Sequence, residues 1–199
     1  MEALKELLTK YGYTVNIFNT KEDAAKFLDK AIDNTSVGMG GSKTIEELNL
    51  YELLSKHNEV YWHQVAKDSN ESLELRYKEA NTKVYLSSVN AISKTGELVN
   101  IDGVGNRLAS TLFGHEKVYF IIGKNKIEDD LDKAIYRARN IAAPKNAMRL
   151  NTKTPCAING DKCYDCKSQQ RICHGLLVLY RAPSYSCTNI ILINENLGF

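Results

Sequence analysis

Four of the five cysteines in this 199-residue chain fall in one short stretch, Cys156-x6-Cys163-x2-Cys166-x6-Cys173. Four thiolates can satisfy a tetrahedral zinc ion or an iron–sulfur cluster. Gly160 and Asp161 permit the tight turns that chelation needs. The spacing departs from the paired knuckles of structural zinc sites and from the tighter runs of common four-iron clusters. Reversible dithiol chemistry at Cys163 and Cys166, or unliganded thiols, therefore stand beside metal binding as readings. His174 could replace one ligand, although a surface or packing role suits it as well. Cys187 stands apart at the start of the last strand and reads as a buried hydrophobe.

Two glycine-bearing loops offer a different chemistry. Gly38-Met39-Gly40-Gly41-Ser42-Lys43-Thr44 lies between a strand and a helix. Glycines there let the backbone approach a ligand, and free N–H groups at a helix start favour an anion. Ser42 and Thr44 add hydroxyls and Lys43 a charge, but the spacing is not that of a P-loop. Asp102-Gly103-Val104-Gly105-Asn106-Arg107 again leads from a strand into a short helix. A carboxylate, a flexible backbone and a guanidinium within six residues suit an anionic or hydroxylated small molecule. A tight turn with a solvated Arg107 would produce the same residues. Lys124-Asn125-Lys126 follows an apolar strand and could supply a third positive contact to the same ligand.

Hydrophobic periodicity supplies the elements that must carry these loops. Leu4, Leu7, Leu8 and Tyr11 mark a helix over 2–11, and Thr20 can cap a second one with the stripe Ala24, Phe27, Leu28, Ala31 and Ile32. Thr44 with Glu47 three residues on reads as a capping box. Helices are also expected over 69–81, 106–112 and 128–142, the last stopped or kinked by Pro144. Strands are expected at 13–18, 35–39, 60–65, 83–89, 97–101, 118–122, 176–180 and 190–193. Tyr61, Trp62 and His63 would share one strand with an aromatic face. Residues 155–174 show no periodicity. Strands alternating with helices predict an α/β domain with a mostly parallel sheet, whose ligands sit at the carboxyl ends of strands.

Composition limits the alternatives. With 26 Lys+Arg against 24 Asp+Glu and 43% hydrophobic residues, the chain reads as one globular domain. A formal charge of +2 argues against a nucleic-acid partner. Arg137, Arg139, Lys145 and Arg149 follow Asp129, Asp130 and Asp132, a charge order that suits the helix dipole. No apolar run reaches membrane-spanning length, and MEALKELLTK lacks the apolar core of a secretory signal. The expected compartment is the cytoplasm, where clustered cysteines point to metal or redox chemistry before disulfides.

The segments GMGGSKTIEELNL, NAISKTGELVNIDGVGNRLAS, GKNKI and AAPKNAMRL resemble the LUD domain family, the lactate-utilisation protein C-like proteins. The similarity continues through TPC, CYDCKSQQRIC and the terminal NENLGF. The resemblance implies one three-layer α/β domain over 1–199, with a mostly parallel sheet and the Cys-rich segment 155–174 as a loop. The implied fold is like that of the ribose-5-phosphate isomerase, glucosamine-phosphate deaminase and CoA-transferase superfamily. In that superfamily a Gly-rich loop grips phosphate or CoA-like anions, which points to Gly40, Gly41, Ser42, Lys43 and Thr44. Where the isomerases carry paired acids and a lysine, this chain reads Ser88-Val89-Asn90-Ala91 and Asp102-Gly103. Asn90 cannot act as a general base, so isomerase activity is not expected. Glu47 and Glu97 are carboxylates that could correspond to the nucleophilic glutamate of the CoA transferases.

The expectation is a small-molecule anion-binding protein of organic-acid or lactate metabolism, with its reaction open. Its ligand contacts would be residues 40–44 together with Asp102, Gly103, Gly105, Asn106 and Arg107. The alternative is a redox accessory that works through zinc or an iron–sulfur cluster at Cys156, Cys163, Cys166 and Cys173, docked to iron–sulfur oxidoreductase subunits. A purely structural subunit is the third reading.

Overall fold

The fold was described from a computed structural model that covers residues 1–199. The first half runs α1 (Glu2–Lys10), β1 (Thr14–Phe18), α2 (Lys21–Ala31), β2 (Ser36–Met39), α3 (Lys43–Glu47), α4 (Leu50–Leu54), β3 (Glu59–Trp62), α5 (Ser69–Glu79) and β4 (Val84–Ser87). The second half continues with β5 (Ala91–Ser93), β6 (Leu98–Asp102), α6 (Asn106–Leu112), β7 (Lys117–Gly123) and β8 (Ile127–Glu128). It closes with α7 (Leu131–Arg137), α8 (Ala143–Arg149), α9 (Pro155–Asn159), β9 (Gly175–Leu179) and β10 (Cys187–Ile193).

Six strands form a parallel sheet in the order β1-β10-β7-β4-β2-β3. Its central strands are apolar on both faces, as a sheet covered on both sides requires. Alternate side chains feed separate cores. Tyr119, Ile121, Ile191 and Ile193 pack with α2, α3 and α4 on one face. Val118, Phe120, Ile122, Ile190 and Leu192 pack with α1 and the second sheet on the other. That second sheet, β8-β5-β6-β9, is mostly antiparallel, and α7 with the turn after it covers it through Ala134 and Ala138 against Ala91 and Val99.

The α/β class and the parallel sheet agree with expectation, and three local features differ. First, Thr44 does not cap α3. Ser42 does, its Oγ accepting from Ile45 N at 3.4 Å, and Thr44 is buried as the second residue of the helix. Second, the strand expected over 60–65 stops at Trp62 and becomes a tight turn over His63–Val65. Third, Pro144 does not stop the helix. A wide helical turn over Ala138–Ala142 precedes it and runs directly into α8, whose second residue is Pro144.

No helix is long and apolar enough to cross a membrane. Cys187 corrects another expectation: it begins β10 as foreseen but is exposed, because it stands at the amino end of the strand, outside the core.

Candidate functional site

Four neighbouring parallel strands, β7, β4, β2 and β3, end on one edge of the six-stranded sheet, and the segments that follow them line a single cleft of about 820 Å³. Such an edge is where open α/β sheets hold ligands. Gly41, Ser42 and Lys43 come from the segment after β2, His63 and Gln64 follow β3, Ser88 to Asn90 follow β4, and Lys126 follows β7.

The loop at 102–107 reaches the same cleft from an unexpected direction. Its strand, β6, belongs to the antiparallel sheet, and its carboxyl end delivers Asp102, Gly103, Asn106 and Arg107 to the cleft. Asp102 organises this loop. Its Oδ1 accepts from Gly103 N at 2.8 Å and its Oδ2 from Arg107 N at 3.0 Å, with Arg107 Nε 3.6 Å away. Arg107 Nη2 donates to Ile101 O at 2.5 Å. Gly105 takes a positive φ of 92° at the start of α6, a conformation that suits glycine.

The residues at 40–44 divide their work. Gly40 N donates to Leu86 O at 2.9 Å, extending the sheet, so it is not a free donor. The N–H groups of Gly41, Ser42, Lys43 and Thr44 have no acceptor in the protein. Lys43 Nζ donates to Glu46 Oε1 at 2.5 Å, so the lysine most visible in the sequence is already paired.

Lys126 is different. It is only 3% exposed, and its Nζ donates to Thr44 Oγ1 at 2.8 Å and Ser88 Oγ at 2.9 Å. Both hydroxyls spend their own hydrogens on carbonyls, Thr44 on Leu197 O and Ser88 on Ile121 O. They therefore act toward the lysine as acceptors alone. An ammonium has three donors, and here no carboxylate touches it. Burial, reinforced by the charges of Arg137 and Arg107 and opposed by Glu47, pulls its pKa down to about 7. Asn125 and Lys124, its companions in the sequence, do other work: Asn125 Oδ1 accepts from Leu197 N at 2.9 Å and anchors the last residues.

The lining as a whole is cationic. Lys43, Arg76, Arg107, Lys126, Arg149 and Arg171 face it against the carboxylates Glu46 and Asp102. The near-neutral chain thus concentrates positive charge on one concave surface. Glu47 and Glu97 do not line the cleft. Glu47 accepts from Gly198 N, and Glu97 is tied to Ser93 and Thr95 in the turn between β5 and β6.

The Cys-rich segment closes one side of the cleft. Gly103 packs so closely on it that a Cβ there would lie 2.7 Å from Ile172 O. His174 N donates to Asp102 O at 3.0 Å, and the ring Nδ1 lies 2.9 Å from Gly103 O. Arg171, Ile172 and His174 all face the cleft. The segment also holds α9, which its lack of periodicity concealed. All five thiols are free, and nowhere do three or more His, Cys, Asp or Glu side chains converge as metal ligands would. Cys173 Sγ instead accepts from Arg171 Nε at 3.2 Å, and Cys163 Sγ from Asp165 N at 3.3 Å. This arrangement does not gather Cys156, Cys163, Cys166 and Cys173 into a four-thiolate site.

Sequence reasoning missed His63, Arg76, Arg149 and Arg171 as cleft residues, and Glu79 behind them. His63 reads as part of a strand, Arg149 as part of a basic stretch, and Arg76 and Arg171 carry no local signal of convergence.

The LUD domain model matches residues 1–193 of the chain. Among solved structures, the chain is similar to a DUF162 family protein from Deinococcus radiodurans, with a TM-score of 0.54 and 10% identity over 96% of this chain and 94% of that one. That likeness concerns the fold. Ribose 5-phosphate isomerase A from Neisseria gonorrhoeae matches with a TM-score of 0.35 and 18% identity, over 56% of this chain and 54% of that one. The ribose 5-phosphate isomerase of Plasmodium falciparum matches with a TM-score of 0.35 and 18% identity, over 55% and 52% of the two chains. No curated protein matches.

Proposed function

The chain belongs to the LUD domain family, and from that premise we propose that it binds a small carboxylated or phosphorylated molecule in this cleft, in organic-acid metabolism of the lactate-utilisation kind. The observation that carries the reading is Lys126. A lysine buried in a cleft wall, seated on two hydroxyls and touched by no carboxylate, is a costly arrangement unless an anion completes it. The unpaired N–H groups of Gly41, Ser42 and Lys43 and the guanidinium of Arg107 face the same cleft as further donors. Arg149 and Arg171 supply positive charge farther along the same lining, which suits a ligand with a second anionic group.

The test is titration with sulfate and with inorganic phosphate, followed by thermal shift and calorimetry. Wild-type protein is expected to bind, and Lys126→Met to lose about tenfold or more in affinity. Equal affinity in the variant would remove Lys126 from the site and the reading with it.

A further inference from the structure

Across the cradle loop from Lys126 lies an ionisable pair that anion binding does not use. The tight turn after β3 carries His63 into the cleft, where the ring is 11% exposed. Glu79, in the last turn of α5, is 1% exposed. Its Oε1 accepts from His63 N at 2.5 Å and lies 2.7 Å from His63 Nδ1. One carboxylate oxygen thus fixes both the backbone turn and the orientation of the ring. A carboxylate only accepts, so the hydrogen belongs on Nδ1, and of the two neutral tautomers this contact selects the one with its lone pair on Nε2.

Nε2 has no hydrogen-bond partner and lies 3.1 Å from where a Cβ on Gly41 would stand. It therefore abuts the beginning of the loop whose Thr44 holds Lys126. The other carboxylate oxygen, Oε2, is buried without a partner. A fully buried carboxylate so incompletely satisfied, with hydrogen bonds to His63 alone, is the kind of costly group that functional sites retain.

We infer that His63 is the proton-transfer group of this cleft, a catalytic base with Glu79 as its positioning residue. The inference rests on the anion-binding reading, because the charged group held near Lys126 is what presents the proton. The substrate class is a small anion bearing an acidic C–H or O–H beside its carboxylate or phosphate. In the step, an Nε2–H bond forms as the ligand's bond to hydrogen breaks. The electron pair stays on the ligand, facing the cationic lining, and Glu79 stabilises the imidazolium. Return of the proton restores the histidine, and no oxidant or reductant takes part.

The experiment uses the full chain. Long-range proton–nitrogen NMR reads the tautomer of each histidine, and carbethoxylation mapped by mass spectrometry reads the reactivity of His57, His63, His115 and His174. Sulfate binding is measured on the same samples. The inference expects the Nδ1–H tautomer at His63 and carbethoxylation at Nε2 faster than at the other three rings. Sulfate at ten times its Kd should slow that reaction about tenfold. Glu79→Gln should lower His63 reactivity several-fold while sulfate affinity stays within about twofold. A merely structural glutamate would leave that reactivity unchanged. His63 found as a permanent imidazolium, protonated on Nε2, or unprotected by bound sulfate overturns the inference alone. Failure of wild-type protein to bind sulfate or phosphate overturns the anion-binding reading and, with it, this inference.

Discussion

Lys126 decides how the cleft responds to pH. Its pKa is pulled from the ordinary lysine range to about 7, chiefly by burial. Sulfate keeps its charge across that range, so its affinity should rise as pH falls through about 7 and the amine takes up its proton. Calorimetry at a series of pH values checks this, and a flat profile would contradict it. Stability runs the other way. Between about 7 and the free-lysine value, the unfolded chain binds more protons at this residue than the folded one does. The contribution of Lys126 to stability therefore rises with pH over that window. Lys126→Met, which removes a buried charge and keeps most of the volume, should stabilise the ligand-free protein at neutral pH by about 1–2 kcal/mol in urea denaturation. Loss of stability on that substitution would mean that the two hydroxyl contacts outweigh desolvation.

At the scale of elements, the close packing of β2 on α5 holds Glu79 behind the cleft. A Cβ on Gly38 would lie 2.5 Å from Glu79 O and 2.8 Å from Thr82 Oγ1, both in tightly packed surroundings. Gly38→Ala must push α5 away from the sheet, at a cost of about 1–3 kcal/mol, and displace His63 with it. Urea denaturation together with the histidine spectrum measures both effects, and a change below about 0.5 kcal/mol would show that the junction gives freely. Thr20 is simpler. Its Oγ1 accepts from Asp23 N at 3.2 Å at the start of α2, so Thr20→Ala should cost about 1 kcal/mol without touching ligand binding. That cap was legible because helix starts are written in neighbouring residues. The turn at His63 was not, because no glycine, proline or other turn-forming residue marks His63–Val65.

For the whole molecule, the two ends of the parallel strands have different fates. Cys187 stands at the amino end of β10, while the cleft lies at the carboxyl ends of its neighbours. Cys187→Ser should leave sulfate affinity unchanged. Gly103→Ala, by forcing Ile172 away from the loop, should weaken sulfate several-fold while the chain stays folded by circular dichroism. If the two variants behave alike, the Cys-rich segment is not a wall of the site. Within that segment Arg171 ties Cys166 O, Cys173 O and Asp165 together, so the cysteines lie in a scaffold that also presents Arg171 to the cleft.

The sequence by itself determined what is local or periodic. The apolar strands, the amphipathic helices, the glycine loops at 38–44 and 102–107, and the family-specific segments were all readable in order along the chain. Tertiary structure alone decided which charges are buried. Lys43, the most prominent lysine in the sequence, stays partly exposed and pairs with Glu46 on its own helix. Lys126 is seated by Thr44, 82 residues distant, and His63 is oriented by Glu79 from another element. The physical reason is that periodicity records which face of an element is apolar, whereas desolvation and charge compensation depend on everything that surrounds a group. A lysine is the same letter in water and in a cleft wall. Only the packing of strands far apart in the chain makes one of them a surface charge and the other a buried one with no carboxylate against it.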